Sequence, residues 1–202
     1  MKTFVLASLL CSAAAFAPAQ VSKAAKSTSL SAEKMPSMPF LPYPEACRGY
    51  IGDDIAFDPL GLSNYFPMDY LRESEIKHGR IAMLAIVGYI TVDLGIIVHP
   101  LGAGLTSATA HDAMAEKGVM GNLLIWVCLA EIFGYFAVAE MLQGSGREPG
   151  YFGFGTKYYE GKSPEQVKKL KYNEIMNGRL AMLAFGGAVT QSVLYDKGFP
   201  YF

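Results

Sequence analysis

Eleven residues, Glu75-Ile76-Lys77-His78-Gly79-Arg80-Ile81-Ala82-Met83-Leu84-Ala85, recur ninety-nine positions later as Glu174-Ile175-Met176-Asn177-Gly178-Arg179-Leu180-Ala181-Met182-Leu183-Ala184, with eight of the eleven positions identical. Each copy sets a carboxylate, a His or Asn and an Arg at the mouth of a long apolar run, where ionisable groups cost free energy unless they are paired or hold something. In a helix Glu75 and His78 share a face, as do Glu174 and Asn177, because residues three apart lie about one turn on. Each Arg follows its own Glu by five positions, which is poor spacing for pairing within one helix. Pairing between copies resolves this. If a first and a third helix cross about a pseudo-twofold axis, Glu75 meets Arg179 and Glu174 meets Arg80. A lone charge at mid-membrane costs roughly 2.5–3.5 kcal/mol on insertion scales, so cross-pairing removes most of the penalty and leaves each carboxylate a free oxygen. The small residues Gly79, Ala82, Gly178 and Ala181 let the two backbones approach.

The chain of 202 residues suits one domain, and 17 basic against 18 acidic residues give no electrostatic footprint for nucleic acid. Its charges are segregated. Residues 81–98 and 123–142 are nearly free of charge over about the length that crosses a bilayer core. A third run, 180–194, reaches that length only if its helix continues back through Glu174, Asn177 and Arg179. The expected fold is an all-α membrane protein with three transmembrane helices, at about 68–98, 119–142 and 164–195, the first and third crossed. The first stops before His99-Pro100, because proline disfavours helix in the residue ahead of it. The second ends at Gly144-Ser145-Gly146, and the third opens with Ser163 as N-cap and Pro164 at the first helical position. Residues 35–50, with four prolines, read as an extended arm, and 101–118 as a connector. A soluble helical bundle with span-like core helices is the alternative.

The basic residues Lys34, Arg48, Arg72, Arg147, Lys157, Lys162, Lys168, Lys169 and Lys171 lie ahead of the apolar run of the first helix or between the apolar runs of the second and third, against Lys117 and Lys197 on the other side. The positive-inside tendency therefore puts the amino terminus on the cytoplasm-equivalent side. Residues 1–30 read as a processing segment, removed to leave 31–202 as the three-helix domain. Lys2 precedes an apolar stretch, Ala13-Ala14-Ala15-Phe16-Ala17-Pro18 supplies a cleavage point, and the Ser/Ala/Lys-rich continuation has no acid before Glu33. A signal followed by a transit-like stretch indicates two successive translocations; a plain secretory signal is the alternative. Cys47 and Cys128 read as ordinary thiols.

A neutralised carboxylate, an imidazole and an amide oxygen all suit a metal that needs one axial ligand, such as the magnesium of a chlorophyll ring. Gln191 follows Asn177 by fourteen residues, close to four turns, and so shares its side about 21 Å further along. On the second helix Glu131 is the only charge in an apolar stretch and is favoured as a ligand. Glu140, about half a turn round from it, and Gln143 are secondary candidates. Glu-x-x-His is also a carboxylate-bridged iron motif, but the second copy has Asn177 where His is needed, and Arg80 and Arg179 consume the charge iron requires.

The two motifs together with Gln191 resemble the signature of the light-harvesting chlorophyll-binding family. With the Ala-Phe-Ala-Pro junction of the presequence, the likeness is nearest to the fucoxanthin chlorophyll a/c proteins of diatoms and related algae. It covers all three helices and the Phe57-Asp58-Pro59-Leu60-Gly61 turn. The resemblance implies chlorophyll ligation by Glu75, His78, Glu174, Asn177 and Gln191, with Arg80 and Arg179 as ion-pair partners and a carotenoid end near the Phe57 turn. It implies chlorophyll a, chlorophyll c and fucoxanthin as cofactors, diadinoxanthin as a further carotenoid, and magnesium only within chlorophyll. It implies a non-enzymatic antenna in the plastid thylakoid membrane, amino terminus stromal and carboxy terminus lumenal. Its expected partners are a photosystem I or II core, other antenna subunits in an oligomer, and thylakoid lipids. A photoprotective, energy-dissipating member is the other reading, which the lumenal residues Asp93, His99, His111, Asp112 and Glu116 do not decide. Plant members carry an amphipathic helix and a further His ligand after the third span, where this chain has Tyr195-Asp196-Lys197-Gly198-Phe199-Pro200-Tyr201-Phe202, so fewer pigments are expected at that end.

Overall fold

The computed structural model describes residues 33–97 and 99–201, so the expected presequence, 1–30, lies outside the described residues. The chain opens with an antiparallel hairpin, β1 (Lys34–Met35) and β2 (Met38–Pro42), in which Lys34 faces Pro42 and Met35 faces Met38. This corrects the extended-arm expectation. Prolines are compatible with a two-stranded ribbon because each strand has an outer edge that needs no amide donor. Ser37 Oγ donates to the Ala56 carbonyl and Met35 is buried, which fastens the hairpin to the turns that follow.

Helix α1 runs Met68–Asp93, five residues shorter than expected. Leu94 closes it and Gly95, at φ 76°, turns the chain away, a conformation a side chain would resist. The apolar Ile96 and Ile97 beyond it extended the sequence pattern without extending the helix. The connector also differs from expectation: it contains helix α2, Ser107–Glu116. Four alanines favour that helix, and Asp93 satisfies its open first turn by accepting from the Ser107 amide at 2.8 Å and Ser107 Oγ at 2.7 Å. Asp93 also accepts from the Phe199 amide at 3.1 Å, so it ties the end of α1 both to α2 and to the C-terminal segment.

Helices α3 (Val119–Leu142) and α5 (Pro164–Tyr195) keep the expected bounds, with a single turn, α4 (Thr156–Tyr159), between them. The start of α5 is fixed reciprocally: Ser163 Oγ accepts from the Gln166 amide at 3.3 Å, and Gln166 Oε1 accepts from the Ser163 amide at 3.0 Å. Helices α1 and α5 form the principal packing of the fold. They touch at Gly79 and Gly178, where a Cβ on either would stand 3.0 Å from the Cα of the other. Ala82, Ile175 and Ala181 are buried beside this point, and further along Tyr89 Oη lies 2.5 Å from the fully buried Ser192 Oγ. Helix α3 packs on α1 and on α2 and is otherwise mostly exposed. Among the described helices it alone is long and apolar enough to cross a membrane on composition, and only 6% of its most apolar stretch is buried within the protein.

Candidate functional site

At the close contact of α1 and α5 the duplicated carboxylates meet the arginines of the opposite copy. Arg179 Nε donates to Glu75 Oε1 and Arg80 Nε donates to Glu174 Oε1, each at 2.7 Å. The expectation of one free oxygen on each carboxylate needs correction at Glu75, whose Oε2 accepts from Arg72 Nη1 at 2.8 Å. Arg72 precedes Glu75 by three positions on the same helix, so one turn brings it alongside. Glu174 Oε2 has no partner among the described residues.

His78 and Asn177 are held alike, each exposed on its helix and turned by the carbonyl four residues earlier. His78 Nδ1 is 2.8 Å from the Ser74 carbonyl oxygen. A carbonyl only accepts, so Nδ1 carries a proton, and in the neutral ring Nε2 is the nitrogen with the free lone pair. Asn177 Nδ2 donates to the Asn173 carbonyl at 2.9 Å, which leaves Oδ1 as the outward acceptor. Orientation of a ligand by a hydrogen bond on its far side is how metal-bound imidazoles are fixed. These donors fit a single axial bond to an already chelated metal. They do not fit a di-iron centre, since no three His, Cys, Asp or Glu residues converge among the described residues.

The remaining sequence candidates stand apart. Gln191 is exposed on α5, and Glu140 and Gln143 are exposed at the end of α3. Glu131 is paired with Lys77 of α1. In the Phe57 to Gly61 turn, Asp58 accepts from the Leu62 amide at 2.9 Å, the Ser63 amide at 3.0 Å and Ser63 Oγ at 2.7 Å. Burial raises the Asp58 carboxyl, but these hydrogen bonds together outweigh it and hold the group below its ordinary value. The turn so fixed presents Phe57 and Leu60, 66% and 76% exposed, as apolar anchors.

Sequence reading missed a second polar cluster, between α1 and the loop after α3. Glu73, 3% exposed, accepts from both Nη atoms of Arg147 at 3.1 Å and from the Gly150 amide at 2.5 Å. Arg80 Nη1 donates to the Gly150 carbonyl at 2.8 Å, so Gly150 is held by both its amide and its carbonyl. The available signal was that Glu73 and Arg80 lie seven apart, two turns along one face. Lys77 was also missed. Its signal was the mismatch between copies, Lys77 against Met176, beside an otherwise unpartnered Glu131.

Between residues 49–51, α1, the loop after α3 and α5 lies a cavity of about 630 Å³, lined among others by Tyr50, Arg72, Ile76, Arg80, Gly150 and Glu174. Burial and the hydrogen bond it donates to Asp69 push the Tyr50 phenol up to about 12, so it stays protonated. The cations around the cavity are each matched to a carboxylate: Arg72 to Glu75, Arg80 to Glu174, Arg147 to Glu73 and Lys171 to Glu148. Arg72 Nε is buried without a partner among the described residues. The cavity is thus better suited to an uncharged ligand oxygen than to an anion.

The model of the chlorophyll A-B binding protein family matches residues 43–193, the segment that carries both motifs, α1, α3 and all but the last two residues of α5. A fucoxanthin-chlorophyll a-c binding protein of Chattonella marina var. antiqua is 30% identical over 96% of this chain and 88% of its own length. The fucoxanthin-chlorophyll a-c binding protein F of Phaeodactylum tricornutum is 32% identical over 91% of this chain and 93% of its own. The light-harvesting complex stress-related protein 1 of Chlamydomonas reinhardtii is 32% identical over 70% of this chain and 61% of its own. With the crossed motif pairs and the matched donors of His78 and Asn177, these likenesses establish that the chain belongs to the light-harvesting chlorophyll-binding family.

Proposed function

We propose that the chain is a three-span antenna subunit of the plastid thylakoid membrane that binds chlorophyll a, chlorophyll c and fucoxanthin, with diadinoxanthin as a further carotenoid, and passes excitation to a photosystem. The observation that carries this reading is the shared orientation of His78 and Asn177, each secured from behind and each leaving one ligand atom directed outward. Glu75, His78, Glu174, Asn177 and Gln191 are the proposed magnesium ligands, joined by Glu131 and, at the end of α3, Glu140 and Gln143. The bound pigments supply light absorption and energy transfer. The protein's own part is to keep the ligand atoms at fixed spacing on two locked helices.

The span count is supported by neutralisation. Helices of 26, 24 and 32 residues are each longer than the roughly 30 Å of a bilayer core at about 1.5 Å per residue. The charges that make α1 and α5 less apolar than α3 are matched to one another across their pseudo-twofold contact. The basic loops favour an amino terminus in the stroma and a carboxy terminus in the lumen, after removal of 1–30. The Phe57 to Gly61 turn and the cavity at Arg72 suit the oxygenated ends of carotenoids.

The test is His78→Leu in the purified pigment complex. It is expected to lose about one chlorophyll per chain while far-UV circular dichroism stays at the wild-type level. An unchanged pigment count rules His78 out as a ligand. The stress-related relative supports a second reading, an energy-dissipating subunit with the same pigment sites. Fluorescence lifetime separates the two: an antenna keeps its lifetime as lumenal pH falls, and a dissipating subunit shortens it.

A further inference from the structure

Glu73, Ile76 and Arg80 stand at i, i+3 and i+7 of α1 and so share one face. That face meets the loop after α3 at Gly150, whose φ of 79° favours glycine. A Cβ there would lie 2.9 Å from two side-chain carbons of Ile76 and 3.5 Å from Arg80 Nη2. The loop therefore packs against the guanidinium that serves Glu174. Its shape comes from Arg147, which donates from Nε to the Tyr151 carbonyl at 2.7 Å and lies over the Phe152 ring, 4.6 Å from its centroid. Glu73 fastens this folded loop to α1 by accepting from both Arg147 Nη atoms and from the Gly150 amide.

Arg80 then has two acceptors on different elements, the Gly150 carbonyl for Nη1 at 2.8 Å and Glu174 Oε1 for Nε at 2.7 Å. A planar guanidinium bonded through two of its nitrogens has its orientation fixed, so the place of Gly150 decides how Arg80 meets Glu174. The other motif copy is restrained differently. Among the described residues Arg179 donates only to Glu75, whose second bond comes from Arg72, and the position that matches Glu73 is Tyr172. Arg80, Gly150 and Glu174 also border one cavity, so loop, cation and carboxylate share the same space. We infer that Glu73 is a positioning residue for the Glu174 pigment site: through Arg147 and Gly150 it fixes the Arg80 guanidinium, which holds Glu174 by Oε1 and leaves Oε2 to the pigment. This rests on the reading of Glu174 as a chlorophyll ligand given above. A plain loop tie would use the same bonds but would make no demand on Glu174.

The two are separated in the full-length pigment complex, with chlorophyll extracted and counted per chain and with low-temperature absorption difference spectra against wild type to identify the chlorophyll that is missing. Glu174→Leu supplies the reference, a loss of about one chlorophyll. Glu73→Leu is expected to lack the same chlorophyll, with the same difference spectrum, and the double variant Glu73→Leu/Glu174→Leu to lose no second one. Arg80→Lys keeps a cation for Glu174 but has one nitrogen where two bonds are made, and it is expected to lose that chlorophyll too; this variant carries the test if Glu73→Leu does not accumulate. A full count in Glu73→Leu or in Arg80→Lys overturns the inference, as does a difference spectrum unlike that of Glu174→Leu or a double variant that lacks two chlorophylls. In those cases a Glu174→Leu chain one chlorophyll short leaves the antenna reading standing. A full count in Glu174→Leu removes that residue as a ligand and this inference with it, and a wild-type chain without stoichiometric chlorophyll overturns the antenna reading itself.

Discussion

Among single side chains, the two copies of the motif are matched in sequence but not in electrostatics. Glu75 is neutralised by Arg179 and also by Arg72, whereas Glu174 has Arg80 alone, and Arg80 is shared with the Gly150 carbonyl. Removing one partner of an ion pair costs most when the other is left with none. Arg80→Leu is therefore expected to destabilise the complex more than Arg179→Leu. Both should fall below the roughly 3–5 kcal/mol of a fully buried pair, because these side chains are about a third exposed. Thermal unfolding of the two purified variants checks the ranking, and the reverse order would contradict the assignment of Arg72 to Glu75. Asp58 gives a pH prediction. Its folded value lies below its unfolded one, so the stability it contributes is full above about pH 3.9 and is lost as pH falls through the folded value. Asp58→Asn should lack that part of the acid-induced loss, and identical acid titrations of variant and wild type would refute it.

Among elements, the approach of α1 to α5 depends on two hydrogens. Each of Gly79 and Gly178 would place a Cβ 3.0 Å from backbone, which cannot move aside as a side-chain tip can. Gly178→Val should cost at least the roughly 1–3 kcal/mol of an overpacked core position and lengthen both crossed ion pairs. It is expected to lower the melting temperature of the pigment complex and release pigment from both motif copies, while a wild-type melting temperature would place the contact elsewhere. The elements legible in the sequence were those with local punctuation. Helix α3 ends at a run of Gly and Ser, and α5 begins with Ser163, Pro164 and Gln166, so both bounds could be read from neighbouring residues. The end of α1 was misjudged because one glycine outweighs the apolar residues beyond it. Helix α2 was missed because its first turn is completed by Asp93, fourteen positions away.

For the molecule as a whole, the duplication makes the crossed pairs readable from the sequence alone, because each charge has a visible counterpart. Glu73, Arg147 and Lys77 have no counterpart in the other copy, and their partners lie across the tertiary fold, so spacing alone did not expose them. Their effect is to bind peripheral segments to the α1 and α5 pair. Glu73→Leu leaves the Arg147 guanidinium without its buried carboxylate and the Gly150 amide without an acceptor, a change of the kind that costs several kcal/mol. Limited proteolysis is expected to cut the loop at 143–155 faster in this variant than in wild type, with α1 and α5 intact; equal rates would mean the clasp does not hold the loop.

The proposed role of the crossed helices is to hold pigments through neutralised carboxylates and oriented neutral donors. Pigment extraction and chromatography on the detergent-purified protein test it most directly. Several chlorophyll a molecules per chain, with chlorophyll c and fucoxanthin in stoichiometric amounts, are the predicted result. Chlorophyll b with lutein would keep the scaffold and contradict the pigment assignment, and the absence of stoichiometric chlorophyll would reduce the duplicated motif to a salt-bridge clasp between two helices.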